Sequence, residues 1–251
     1  MLPFEFDCSL ALAEVMLTGR ATHAGIAATL VRLASQGWVV FSERDCGDYE
    51  VRLRQSMAPK ALPSDGSERV LLRWLSDGTV PPGTPSMWRV LWPEWMACLE
   101  QQAIAEGMLT PQAWRCLTRW RLVAPIAKRA VPAKRVARWQ AYAERLKRYP
   151  APTDPLPGTR EEWETAFAYA VALGQARAFL RHAREVCEYY ERNFEGIVIT
   201  FFTPRWYLPH RVEGQARFAF LTGGFSSLFA SFHWNKMTVG VMDGLVRETA
   251  S

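Results

Sequence analysis

The chain is poor in the residues that usually announce chemistry. Its four histidines (His23, His182, His210 and His233) lie far apart, and no Cys-x-x-Cys or His-x-x-x-His pair occurs in 251 residues. The ligand spacing of a zinc site is therefore missing. Neither G-x-x-x-x-G-K-[ST] nor G-x-G-x-x-G is present, which removes the two common glycine-rich phosphate loops. No metal and no cofactor is expected. The five cysteines (Cys8, Cys46, Cys98, Cys116, Cys187) are scattered and odd in number, a pattern that suits a reducing compartment better than a disulfide framework. The N-terminal stretch MLPFEFDCSLALAE carries acids where a secretory leader needs positive charge. Long apolar runs are also lacking. The longest stretch free of charge runs from 218 to 235, between Arg217 and Lys236. A spanning helix needs about 20 mainly apolar residues, and this stretch is interrupted by Gly, Ser, His and Asn. It reads as a buried or interfacial segment, and the chain as cytoplasmic, at most peripheral to a membrane.

What is present in quantity is apolar and aromatic side chain, with 49% hydrophobic residues, 11 Trp and 13 Phe. That is ample for a core and argues against extensive disorder. Lysine is scarce at 5 residues, whereas arginine reaches 25. The formal charge of +5 conceals a concentrated patch: Arg115 to Arg148 holds eleven Lys or Arg against the single acid Glu144. The rest of the chain is consequently net negative by five. Such a patch attracts polyanions with strong salt dependence, and guanidinium forks suit phosphate and carboxylate alike.

The first sixty residues have the order of a winged helix. Ser9 to Thr18 has helical apolar spacing with Ser9 as N-cap, and Gly19 closes it. Ala24 to Gln36 places Ile26, Leu30 and Leu33 on one face, with Gly37 suited to the position after the helix. WVVFSERDCGDYEVRLR then alternates on both sides of a Cys-Gly-Asp turn, the pattern of a β-hairpin. A weaker echo of the same order follows in ERVLLRWLSDG and EWMACLEQQAIAEGML.

Farther on, Ala133 to Arg148 forms a basic amphipathic helix. At about 100° per residue, Lys134, Arg138, Arg145 and Arg148 fall within about 80° of one another, opposite Val136, Trp139, Ala143 and Leu146. PAPTDPLPG is a linker. Thr159 and Glu162 make a capping box for one long helix running from Glu161 to about Arg192. The last sixty residues, rich in aromatics, read as strands or short irregular segments.

With these segments placed, the chain resembles the domain-of-unknown-function 2207 family of predicted bacterial and archaeal membrane proteins. The resemblance rests on GRATHAGIAATLVRLASQGWVVFSE, on the spacing of Trp139, Tyr142 and Leu146, on Tyr169-Ala170-Val171-Ala172-Leu173-Gly174, and on Pro204-Arg205-Trp206-Tyr207. It implies the cytosolic part of such proteins. Membrane spans, an extracytoplasmic β domain and a Gly-rich tail, which full-length members carry, have no counterpart here. The family transfers no catalytic residues.

The expected fold is α+β and mainly helical: a winged helix over 1–58, a degenerate second winged-helix-like unit over 67–130, and a helical domain with an apolar C-terminal segment over 131–251. No enzyme signature stands out. Cys187 and His182 are five apart and point to different helix faces, and Glu161, Glu162, Glu164, Glu185, Glu188 and Glu191 read as a solvated face. The candidate binding residues are the cations Arg115, Arg119, Arg121, Lys128, Arg129, Lys134, Arg135, Arg138, Arg145 and Arg148, joined on the wing by Arg44, Arg52 and Arg54. Trp114, Trp120 and Trp139 interleave with them, either as rings on which bases stack or as core side chains, the reading the helical wheel supports for Trp139. The second helix offers a DNA groove only Arg32 and Gln36, with Arg20 and His23 nearby, a poor reading face. The expected role is a non-enzymatic interaction protein that docks a protein partner near the cytoplasmic membrane surface. An anionic membrane surface is a further candidate partner, DNA binding through wing and patch is the alternative, and no small-molecule substrate is indicated.

Overall fold

The structure is a computed structural model, and it describes residues 8–19, 21–43, 49–54, 63, 65–77, 85–112, 114, 133–149, 159–193, 204–208 and 237–239. The fold is mainly helical with one small sheet. The elements run α1 (Leu10–Thr18), α2 (His23–Ser35), β1 (Val39–Glu43), β2 (Tyr49–Leu53), α3 (Gly66–Asp77), α4 (Pro85–Ala105), α5 (Ala133–Leu146), α6 (Arg160–Ala172), α7 (Ala176–Asn193), β3 (Tyr207–Leu208) and β4 (Met237–Val239).

Helix α1 is buried along Leu10–Met16, so it is a central strut with no amphipathic side to show. Its Ser9 hydroxyl accepts the Leu12 N–H at 3.3 Å, and Gly19 ends it at φ 72. One acid, Glu14, is buried within this apolar helix. Its carboxylate accepts the Thr22 backbone N–H at 3.1 Å and the Thr22 hydroxyl, and also meets the Gly25 backbone N–H. Those groups are the first-turn donors of α2, which have no partner inside their own helix. Burial still raises the Glu14 carboxyl to about 7. A Cβ on Gly25 would stand 2.6 Å from the Glu14 Oε2, so glycine is what lets the two helices close on this carboxylate.

Helix α2 packs most extensively against α6, with α1 and α3 on its other sides. Ile26, Leu30 and Leu33 are all buried. After Gly37 (φ 82), β1 and β2 form an antiparallel hairpin in the register Val39↔Leu53 to Glu43↔Tyr49. Val39, Phe41 and Val51 point into the core. The hairpin is the centre of a mixed sheet ordered β3-β1-β2-β4, in which late segments of the chain add a parallel strand to each side. The indole of Trp206, just before β3, lies on Phe41 with ring centroids 5.5 Å apart.

Helices α3 and α4 pair beside the hairpin. Asp65 starts α3 by accepting the Ser67 N–H at 2.7 Å, and the Gln102 side-chain amide of α4 donates to the same oxygen at 2.9 Å. Helix α4 ends at Gly107 (φ 62) with Met108 N–H bonded back to the Ala103 carbonyl. The same five-residue return closes α2 (Trp38 to Leu33) and α6 (Gln175 to Ala170). Since α6 lies outside the sequence echo, this closure is a general way of ending a helix.

The long helix expected from Glu161 to Arg192 is two helices. Gly174 adopts φ 69, and Leu173–Gln175 separate α6 from α7. The capping box at Thr159 and Glu162 is formed as expected, with bonds of 3.2 and 3.0 Å. Helix α5 is the amphipathic helix the spacing predicts, though it stops at Leu146 rather than Arg148. On its inward side Trp139, Tyr142 and Tyr169 form a three-ring cluster with centroids 5.6–6.0 Å apart. Trp139, Tyr142 and Tyr169 are thus core residues. Among the described residues no helix is long and apolar enough to cross a membrane; the uncharged run 218–235 lies outside them.

Candidate functional site

The cations on α5 and in the turn that follows it stand on the outward side that the helical wheel gives them. Lys134, Arg138, Arg145 and Arg148 are exposed, while Val136, Trp139, Ala143 and Leu146 are buried beneath them. The four span about four turns of helix at 1.5 Å per residue. Arg135 is half-buried at the edge of the same face. The acid of this helix, Glu144, is held by Lys147 at 2.6 Å, which leaves the line cationic. On the hairpin, Arg52 and Arg54 are both exposed. Arg44, Arg115, Arg119, Arg121, Lys128 and Arg129 lie outside the described residues, as does Trp120.

Of the tryptophans that interleave with the cations, Trp114 and Trp139 are core residues, as the helical wheel has it for Trp139: both are buried at 2% exposure. A ring already enclosed by core side chains has no face to offer a nucleobase. Arg32 and Gln36, the candidate reading residues of α2, are turned to internal use. Arg32 Nε lies 2.9 Å from the Glu68 carboxylate of α3 and also meets the Tyr169 hydroxyl of α6, while Gln36 bonds Glu68 as well. Arg20 and the His23 side chain are not among the described groups.

The acidic face expected on α6 and α7 also changes. Glu161 and Glu185 are exposed, Glu162 and Glu188 half-buried, and Glu164 is buried at 4% exposure. Burial raises its carboxyl to about 7, against the Trp206 indole and the Arg205 backbone N–H that face it. Glu164 therefore fastens α6 to the segment leading into β3. Glu68 behaves alike: burial raises it to about 7 and Arg32 opposes the shift. The fold thus holds three buried acids, Glu14, Glu68 and Glu164, each facing polar groups of a second element. Cys187 is buried, and His182 is half-buried with Glu185 at 3.5 Å from its Nδ1. Among the described residues no group of three His, Cys, Asp or Glu gathers to hold a metal.

A feature that the sequence reading missed is a groove of about 810 Å3 between the hairpin and the α3–α4 pair. Trp38 and Leu53 line it from the hairpin, Val70 and Leu72 from α3, with Arg69 and Arg73 above them and Glu94 and Gln101 across on α4. Arg73 is ion-paired with Glu94. No local motif could reveal this groove, because its lining comes from three separate elements. The only local signal is the pair of arginines four apart, Arg69 and Arg73, on the segment ERVLLRWLSDG.

No protein-family model, curated protein or solved structure matches the chain.

Proposed function

We propose that the chain is a non-enzymatic docking protein that binds a protein partner through the cationic line of α5, near the cytoplasmic membrane surface. Its N-terminal helix–helix–hairpin unit is a winged helix, α3 and α4 are a degenerate second copy, and the whole is akin to the cytosolic part of the domain-of-unknown-function 2207 proteins. The observation that carries the reading is the contrast in α2. In a winged-helix DNA reader the second helix must enter the major groove. Here α2 is enclosed by α1, α3 and α6, and its Arg32 is committed to Glu68. A winged helix so occupied serves as a scaffold, and the accessible charge lies on α5.

A photo-crosslinking side chain at position 148, introduced into the full chain in cells, tests this. The expected product is a protein adduct of discrete mass that disappears when Lys134, Arg138 and Arg145 are changed together to Glu. Nucleic-acid adducts, or protein adducts indifferent to the charge reversal, overturn the reading.

The exposed Arg52 and Arg54 on the hairpin support a second reading, in which wing and patch hold DNA by its phosphates. Binding to random duplex DNA across a salt series decides it. A steep negative log–log slope is expected of phosphate contacts, and a flat one removes the reading.

A further inference from the structure

The groove between the hairpin and the α3–α4 pair goes beyond the docking surface and shares no residue with it. We propose that it is a small-molecule site for an amphipathic monoanion: a carboxylate or sulfonate on an aromatic or branched aliphatic body. At about 810 Å3 it falls within the roughly 300–1,000 Å3 of ordinary ligand pockets. Its walls combine two unlike parts. Trp38, Leu53 and Val70 are each only half-buried, yet all turn into this one concavity, where Leu72 joins them. Large apolar side chains gathered in a concave surface are the usual lining of a ligand site.

The second part is an arginine without a carboxylate. At one end Arg73 is already paired with Glu94 of the facing helix, so that end is close to neutral. Among the described residues no carboxylate lies within ion-pair distance of Arg69, one turn earlier on α3. Its Nη2 stands 3.8 Å from the point where a Cβ on Gly66 would sit, and the same point is 2.7 Å from the Cys98 Sγ. Gly66 lets α3 and α4 meet there, and the Arg69 guanidinium stands beside this end of the groove, where the Asp65 carboxylate is taken up by Ser67 and Gln102. A planar guanidinium binds a carboxylate or sulfonate with two parallel hydrogen bonds. An anion at this end would face Arg69 while staying clear of Glu94, and its apolar body would lie along Trp38, Leu53 and Val70. Gln101 and Ser76 line the groove too and add hydrogen-bonding groups to the ligand's far end.

The probe is 1-anilinonaphthalene-8-sulfonate, titrated by fluorescence into the folded full chain, with N-phenyl-1-naphthylamine as its counterpart lacking the sulfonate. Saturable one-site binding of the sulfonate is expected, at least tenfold tighter than the neutral compound, and decanoate should displace it where decanol does not. Arg69→Glu should weaken the sulfonate at least tenfold, whereas Arg148→Glu on α5 should leave it unchanged. Ala97→Trp, on the exposed rim, should block the groove without touching the cation and abolish both bindings. Equal affinity for the two probes, or wild-type affinity in either Arg69→Glu or Ala97→Trp, overturns the proposal. Melting curves that match wild type certify both variants as folded.

Discussion

Helices α2 and α5 both carry arginine on an otherwise apolar amphipathic pattern, and they put it to opposite ends. In α2 the guanidinium of Arg32 is about one-third exposed and meets a Glu68 carboxylate that is 4% exposed. On α5 and just after it, Lys134, Arg138, Arg145 and Arg148 face outward, with the Glu144–Lys147 pair beside them. The difference is the location of the counter-charge. A cation opposite a buried acid becomes part of the fold, because either charge alone in that place is unfavourable. A cation exposed on the surface contributes little to stability whatever it meets there and stays accessible to another molecule.

The largest effect expected within this comparison comes from the other side of α5. Trp139→Ala, which empties the ring cluster with Tyr142 and Tyr169, should cost about 4 kcal/mol in the free energy of urea unfolding. A loss under 1 kcal/mol would mean that α5 is not anchored by its aromatic face. Next comes Arg32→Met, which leaves Glu68 buried and unpaired. We expect a loss of about 3 kcal/mol, at the low end of the range for a broken buried pair because Arg32 is partly exposed. Adding Glu68→Leu should recover most of that loss, and a double variant as unstable as the single one would show that the pair is more than mutual compensation.

The inward charges should also make stability depend on pH. Glu14, Glu68 and Glu164 are each raised from an ordinary 4.5 to about 7 in the fold. Between those values the native state binds protons that the unfolded chain has released. Stability is therefore greatest below about pH 4.5, falls as pH rises through 7, and is fully lost from these groups above it. Glu164→Gln keeps an acceptor toward Trp206 and removes the proton, so it should shrink the decline between pH 4.5 and 8 by about 2 kcal/mol. Melting temperatures measured across that interval check this, and a curve parallel to wild type would place Glu164 in water. The smallest effect belongs to the outward face: Arg138→Glu with Arg145→Glu should shift unfolding free energy by no more than about 0.5 kcal/mol, while abolishing the crosslink at position 148. Unfolding of that variant would mean the cations are inside.

Much of this was readable from local pattern, since local physics dictates it. Ser9, Gly19, Gly37 and the Thr159–Glu162 box end or start helices through bonds within a few residues of themselves. The two faces of α5 followed from periodicity alone. Gly174 was misread because a glycine inside an apolar helical run is tolerated in many helices, and only the tertiary position of α7 requires the left-handed turn. Glu164 was misplaced for a related reason. Its neighbours one turn earlier, Arg160 and Glu161, suggested a charged face, and the groups it faces, Trp206 and the Arg205 backbone, lie some forty residues away. The groove was invisible because hairpin, α3 and α4 come together only in three dimensions.

The strand order β3-β1-β2-β4 also governs how this protein comes to be folded. Residues near the start of the chain form the inner hairpin, and residues near its end form both flanks. During synthesis the hairpin emerges early with two unpaired edges, and each edge is a template for any extended segment it meets. Neither is covered until β3 and β4, far later in the chain, pair with it across long loops. Completion of the sheet is therefore a late folding step, and chains cut before β4 carry an open strand edge that favours association between copies.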